Sequence, residues 1–255
     1  MGKKRIRRHS KSAAVYLPIA SLLILLLMAF GVSVFLEILV IEVVGASTYT
    51  DDDIIKASGI AMGNNMLFVD KDKASLGIYS LMPYINEVVI EFKLPDRVRI
   101  IVNESLALAV IEDIDGAWMI DSEGRILERV ETAAGGLFEV IGFVPVEAAA
   151  GSSLRAAPAD EAKLRHLKEV LAAIDKAGVQ DNILYLDITN IGNISLGYTE
   201  GFTVLLGGSS GAQNKLTKLP EAIDSVKMDE SFDANSRYKI DMSDSSGRWL
   251  WTPER

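Results

Sequence analysis

The chain has no cysteine among its 255 residues. That excludes a disulfide framework and any zinc–thiolate site, so the fold must be held by packing. It has two histidines: His9 in a basic segment, and His166 in the charged, helix-patterned run ADEAKLRHLKEVL. Imidazole catalysis and histidine-ligated metal therefore have almost no material to work with. The sequence also lacks H-E-x-x-H and G-x-x-x-x-G-K-[ST], the spacings that zinc helices and phosphate loops require. Carboxylates are plentiful, 35 acidic residues against 26 Lys and Arg, but no pair stands out. Asp121 and Glu123 fall in a D-x-x-G turn, where the aspartate caps its own backbone. The sequence thus gives no catalytic, cofactor-binding or metal-binding residues, and predicts neither enzyme activity nor a small-molecule substrate.

Charge is missing altogether from Ala13 to Leu36, AAVYLPIASLLILLLMAFGVSVFL. A bilayer's hydrocarbon core is crossed by about 20 apolar helical residues, so this run is long enough to span it. A cleaved signal peptide has a shorter apolar core of about 7–15 residues and then a small-x-small site. Here Glu37-Ile38-Leu39-Val40-Ile41 follows instead. The flanks set the orientation. Residues 1–36 hold six basic residues and no acid, leaving 20 basic against all 35 acidic residues in the rest. The positive-inside rule places residues 1–12 in the cytoplasm and the bulk of the chain outside. An acidic exterior repels phosphate, so nucleic acid is not expected as a partner.

Ile38–Ala46 (ILVIEVVGA) is patterned as a buried strand ending at Gly45. Thr50-Asp51-Asp52-Asp53 reads as a helix start, with Ile54, Ile55 and Ala57 apolar and Gly59 as the stop. Met62-Gly63-Asn64-Asn65 is a turn, and Met66-Leu67-Phe68-Val69 is expected to pack inward. Asp70 opens a second helix carrying Ala74, Ile78, Leu81 and Met82, ended by Pro83. Tyr84–Phe92 and Arg97–Asn103 alternate as strands about a Lys93–Asp96 turn, completing β-α-α-β-β.

These segments resemble the FtsQ-type POTRA domain of the bacterial cell-division family FtsQ/DivIB. The resemblance rests on Ile41-Glu42-Val43-Val44-Gly45, Asp53-Ile54-Ile55, Gly63–Asp70, Leu81-Met82-Pro83-Tyr84-Ile85 and Leu94–Ile100, in that order after an anchor helix. At the junction that follows, the family shows Glu-Arg/Lys-x-Pro where this chain has Glu104-Ser105-Leu106-Ala107.

From Leu106 onward short strands dominate: Ala107–Glu112, Trp118–Ile120, Arg125–Leu127, Leu137–Val146, Ile183–Thr189, Asn193–Tyr198 and Phe202–Leu206. Turns are expected at Asp115-Gly116 and Asp121–Gly124. Pro158–Ala177 carries a helical stripe of Leu164, Leu167, Val170, Leu171 and Ile174, closed by Gly178. Gly207–Gly211 is a plain loop, since Lys215 has the wrong spacing for phosphate. Lys215–Val226 is a short helix that Pro220 interrupts. Trp118–Leu127, Leu206-Gly207, Lys215-Leu216 and Tyr238–Met242 resemble the family's β domain. The chain ends SSGRWLWTPER, where Trp249 and Trp251 either cover the last edge of the core or form an exposed contact.

The expected fold is α+β: a single N-terminal transmembrane helix, a βααββ POTRA domain, then a mixed β-rich domain with a long packed helix. The segments are a basic cytoplasmic tail (1–12), a transmembrane helix (13–36), the POTRA domain (37–105), a β domain (106–243) and a C-terminal tail (244–255). The resemblance implies a non-enzymatic scaffold of the divisome, in the cytoplasmic membrane at the septum. Its implied partners are FtsL-type and FtsB/DivIC-type single-pass proteins, with the bilayer itself held through residues 13–36. In the family the partner adds to the final strand and touches residues just after it. Carried over, those positions are Arg237, Tyr238, Lys239, Ile240, Asp241, Met242, Ser246, Gly247 and Trp251, with Tyr238 and Trp251 as aromatic anchors. The other reading is a POTRA-bearing envelope assembly or transport anchor, or an extracytoplasmic sensor. Tandem POTRA units and barrel-length strands are lacking for the former, and a cytoplasmic output domain for the latter.

Overall fold

The computed structural model describes residues 13–113, 116–131, 136–244 and 249–254. The basic residues 1–12, Asp115 of one expected turn, and Ser246 and Gly247 lie outside the described residues. Helix α1 runs Ala13–Phe35, 23 residues with no charged side chain and Pro18 near its start. At about 1.5 Å per residue it is roughly 34 Å long. Its described side chains run unbroken only from Tyr16 to Met28, and among the described residues no helix is long and apolar enough to cross a membrane.

The rest is mixed α and β and divides into two compact units, residues 1–78 with 87–103, and residues 79–86 with 104–255. In the first unit β1 (Val40–Val44), α2 (Asp51–Ser58), α3 (Lys71–Leu81), β2 (Ile85–Lys93) and β3 (Arg97–Glu104) follow one another. The sheet order is β1-β3-β2, with β1 parallel to β3. Strand alternation divides β3 into two faces. Val98, Ile100 and Val102 are buried with Ile54, Ala74 and Ile78 of the helices, while Arg97 and Arg99 both reach the Glu42 carboxylate on β1. The Arg99 hydrogen bonds hold that carboxyl below its usual range against the opposing effect of desolvation, helped by the Arg97 charge. Helix α2 starts as its residues require. Thr50 accepts from the Asp53 N–H (3.3 Å) and donates to its carboxylate (2.6 Å), and Gly59 closes the helix in the left-handed region.

One expectation fails here. Of the apolar run Met66–Phe68, only Met66 is buried; Leu67 is 62% and Phe68 82% exposed. Asn65 accepts from the Leu67 N–H (2.9 Å) and folds the run into a 3₁₀ turn. A turn of that pitch sends consecutive side chains in different directions, so they do not share one inward face.

The second unit is a nine-stranded sheet in the order β12-β11-β10-β9-β8-β7-β4-β5-β6. Its strands are β4 (Ala109–Asp113), β5 (Gly116–Ile120), β6 (Ile126–Val130), β7 (Phe138–Ile141), β8 (Ile183–Asp187), β9 (Ile194–Tyr198), β10 (Phe202–Gly207), β11 (Arg237–Asp241) and β12 (Leu250–Glu254). Its helices are α4 (Glu161–Ala177) and α5 (Ala212–Lys227). The pairs β7–β8 and β10–β11 are parallel, and parallel neighbours need a long crossover. Helices α4 and α5 are those crossovers. Their stripes, Leu167, Val170, Leu171 and Ile174 on α4 and Leu216, Leu219, Ile223 and Val226 on α5, share one core with the sheet. Helix α5 runs unbroken through Pro220 and begins three residues before Lys215; flanking packing outweighs the one lost hydrogen bond.

Gly77 of α3 faces Ala57 of α2 so closely that an added Cβ would lie 2.3 Å from the Ala57 carbonyl oxygen. Gly77→Ala is expected to destabilise the first unit by about 1–3 kcal/mol through forced separation of the helices. Urea denaturation of the full chain against wild type measures this, and unchanged stability would show that the helices are free to move apart.

Candidate partner-binding edge

The residues assigned to partner binding centre on β11. Its alternation puts Tyr238, Ile240 and then Met242 into the core and leaves Arg237, Lys239 and Asp241 on the other face. Tyr238 is 2% exposed. Its ring lies 5.1 Å from Phe232, 5.8 Å from Phe202 and 5.8 Å edge-on from Trp251. Its hydroxyl accepts the Asp233 N–H at 2.6 Å and donates to the Asp233 carbonyl at 3.3 Å. Tyr238 therefore anchors the core, and reaches the edge only through Trp251.

Nor is β11 the rim of the sheet. It lies between β10, parallel, and β12, antiparallel, with Ile240 opposite Trp251. The segment read from sequence as a C-terminal tail supplies this extra strand over Leu250–Glu254. The Met242 N–H donates to the Leu205 carbonyl of β10 at 2.8 Å, so the even-numbered residues of β11 face β10 and the odd ones face β12. In the β12 register, Arg237, Lys239 and Asp241 stand opposite Glu254, Thr252 and Leu250. These three therefore bond inward, and Trp251 and Pro253 turn their main chain outward. Proline has no N–H, which suits it to that outward position. The outer edge of β12 thus offers the Trp251 N–H with the Trp251 and Pro253 carbonyls, beside Leu250, which is 75% exposed.

The charges around this edge are settled by local bonds. Ser243 side-chain and backbone hydrogen bonds hold the Asp241 carboxyl below its usual range. The Asn235 N–H, then Ser236, do the same for Asp233. A lowered carboxylate pKa contributes stability that is present above the ordinary aspartate range and lost as pH falls through the lowered value. Both turns accordingly keep these carboxylate bonds at neutral pH.

Elsewhere the polar clusters are structural. The Ser209 hydroxyl donates to the Glu169 carboxylate, which can only accept. The 2.6 Å contact with His166 Nδ1 is therefore a bond that the ring donates. An imidazole donating to the serine is not placed to take its proton, and the three side chains instead tie α4 to the loop after β10. Lys215 Nζ is held by the Leu206 carbonyl at 2.6 Å, away from any phosphate. Asp121 accepts from the Glu123 and Arg125 N–H groups at 2.9 and 2.8 Å, as its turn requires. Among the described residues no group of three or more His, Cys, Asp or Glu is placed to hold a metal ion.

Comparison with known proteins is decisive at this point. Residues 37–105 match the family described as POTRA domain, FtsQ-type. The chain is 31% identical over 243 residues to the cell division protein DivIB of Clostridium botulinum, covering 94% of this chain and 90% of that protein. This chain belongs to the DivIB/FtsQ family of cell-division proteins. It is 28% identical to the DivIB of Clostridium acetobutylicum, over 78% of this chain and 81% of that one. It is also 27% identical to the cell division protein FtsQ of Corynebacterium glutamicum, over 69% and 73%. In DivIB/FtsQ terms, β1-α2-α3-β2-β3 is the POTRA unit.

For this DivIB/FtsQ chain, Tyr238→Phe keeps the ring stack and loses the hydroxyl bonds to Asp233, with an expected cost of about 0.5–1.5 kcal/mol. Tyr238→Ala also opens a cavity and is expected to cost about 3–5 kcal/mol. Equal and small losses in urea denaturation would show the ring to be peripheral.

Proposed function

We propose that this protein is a non-enzymatic, membrane-anchored scaffold of the bacterial division machinery. Helix α1 crosses the cytoplasmic membrane, residues 1–12 lie in the cytoplasm, and both folded units lie outside, at the septum. The support for the crossing is the uncharged 23-residue helix between a basic segment and an acidic remainder. Its partners are FtsL-type and FtsB/DivIC-type single-pass proteins. One of them supplies a strand that extends the nine-stranded sheet beyond β12. The observation that carries this reading is that β12 ends the sheet, with no strand paired to its outer side among the described residues. An unpaired strand edge is a template for another chain's backbone. Trp251 fixes the site, since it presents the outward N–H and part of its ring, while Tyr238 and Ile240 hold the ladder from beneath. Ser246 and Gly247 stay in the proposal by their place in the sequence, just before Trp251.

The test is capture from membranes of cells making the tagged full-length chain. Wild type is expected to retain both partner types, and Trp251→Pro, which deletes the outward N–H, to lose them. Trp251→Ala, which keeps the N–H, is expected to retain them weakly. Full retention by Trp251→Pro would overturn strand addition at β12, and retention of neither partner by wild type would overturn the scaffold itself.

A further inference from the structure

The first unit is tied by its main chain to the end of α1. Helix α1 stops at Phe35. The Leu36 carbonyl then accepts the Met66 N–H at 2.9 Å, the Ile38 N–H donates to the Asn64 carbonyl at 2.8 Å, and the Gly63 N–H donates to the Ile38 carbonyl at 2.9 Å. Glu37 and Asn65 form the bridge between them. A second tie follows at once, because the Asp96 carbonyl accepts the N–H groups of Leu39 (2.8 Å) and Val40 (3.2 Å). Two loops, 62–68 and 94–96, are thus pinned beside the point where the chain leaves the helix. Three extended residues cover at most about 10 Å, against a headgroup layer roughly 5–8 Å deep.

Those loops carry apolar side chains at their tips. Leu94 is 72% exposed and Phe68 82%, and Leu39, Met62 and Leu67 are exposed with them. Single exposed apolar residues are ordinary; five gathered where a chain leaves an apolar helix form a surface. The Met66–Phe68 turn also satisfies its own backbone. Asn65 takes the Leu67 N–H on its side chain (2.9 Å) and the Phe68 N–H on its carbonyl (3.0 Å). It can therefore enter a poorly hydrated layer without leaving those donors bare. The neighbouring charges alternate in sign, Asp70, Lys71, Asp72, Lys73, and Glu91 is paired with Lys93 at 2.8 Å. No net positive charge exists there to favour anionic lipid.

We propose that Leu39, Met62, Leu67, Phe68 and Leu94 form an interfacial foot that sinks into the headgroup–acyl boundary of the bilayer α1 crosses, and so fixes how the first unit stands on the membrane. The proposal rests on the spanning role of α1. The attraction is apolar and independent of lipid charge and salt.

The absence of native cysteine makes the test direct. Single-cysteine variants of the full chain, Phe68→Cys and Leu94→Cys, are labelled with an environment-sensitive fluorophore and reconstituted in phosphatidylcholine vesicles with spin-labelled lipid. Leu25→Cys in α1 reports the crossing. Asn103→Cys reports the far end of β3, about 20 Å from the foot at 3.3 Å per residue. The labels at 68 and 94 are expected to be blue-shifted and quenched by the lipid spin label, unchanged in high salt, while the label at 103 is not. Quenching at 25 with none at 68 and 94 overturns the foot and leaves the crossing intact, and so does water exclusion at 68 and 94 without lipid quenching, which would mean a protein partner. Absence of quenching at 25 overturns the crossing and the foot together.

Discussion

The main-chain ladder between Arg237–Asp241 and Leu250–Glu254 decides where the second unit's sheet ends. With β12 in place, β11 is an interior strand whose even side chains complete the core. Phe202, Phe232, Tyr238 and Trp251 then form one aromatic chain from the interior to the rim. Without β12, three inward-facing main-chain positions of β11 would be left open and the Trp251 ring would lose its seat on Tyr238. Pro253 fits this arrangement only where it stands, since at an inward position it would delete a rung. A single geometrical fact, the parity of β11 fixed by Met242 bonding Leu205, thus determines which atoms remain for another chain.

The two units meet the same constraint in different ways. A parallel strand pair needs a crossover that covers one face of the sheet. The first unit uses α2 and α3 between β1 and the β2–β3 hairpin. The second uses α4 and α5 at two of its three parallel joints, β7–β8 and β10–β11, and the β5–β6 hairpin lies in the connection of the third, β4–β7. In the first unit the charged side of the sheet is held by one carboxylate between two guanidinium groups. Each unit presents a different feature outward: loop tips of apolar side chains in the first, an unpaired strand edge in the second.

Much of this was legible in the sequence because it is local. Thr50, Asp53 and Gly59 specify where α2 begins and ends, and the α4 stripe is visible at helical spacing. The alternation of Val98, Ile100 and Val102 announces a half-buried strand. What was not legible is non-local or short. Met66–Val69 reads as an inward run because four apolar residues carry no phase, and only the Asn65 cap sets their directions. Residues 250–254 read as a tail, because Pro253 argues against an interior strand and the pairing partner lies across a connection that sequence cannot close. Pro220 reads as a break because the packing that sustains α5 comes from the sheet. Gly77 gave no signal at all, since its necessity is the Ala57 carbonyl on another helix.

Residue-resolved amide hydrogen exchange on the full chain in lipid discs tests the placement of the sheet's edge most directly. The amides of Leu250, Thr252 and Glu254 should exchange slowly, bonded inward to β11, while that of Trp251 exchanges fast. Fast exchange at Leu250, Thr252 and Glu254, or a Trp251 amide as slow as its neighbours, would contradict the assignment of β12 as the paired strand whose outer side is open.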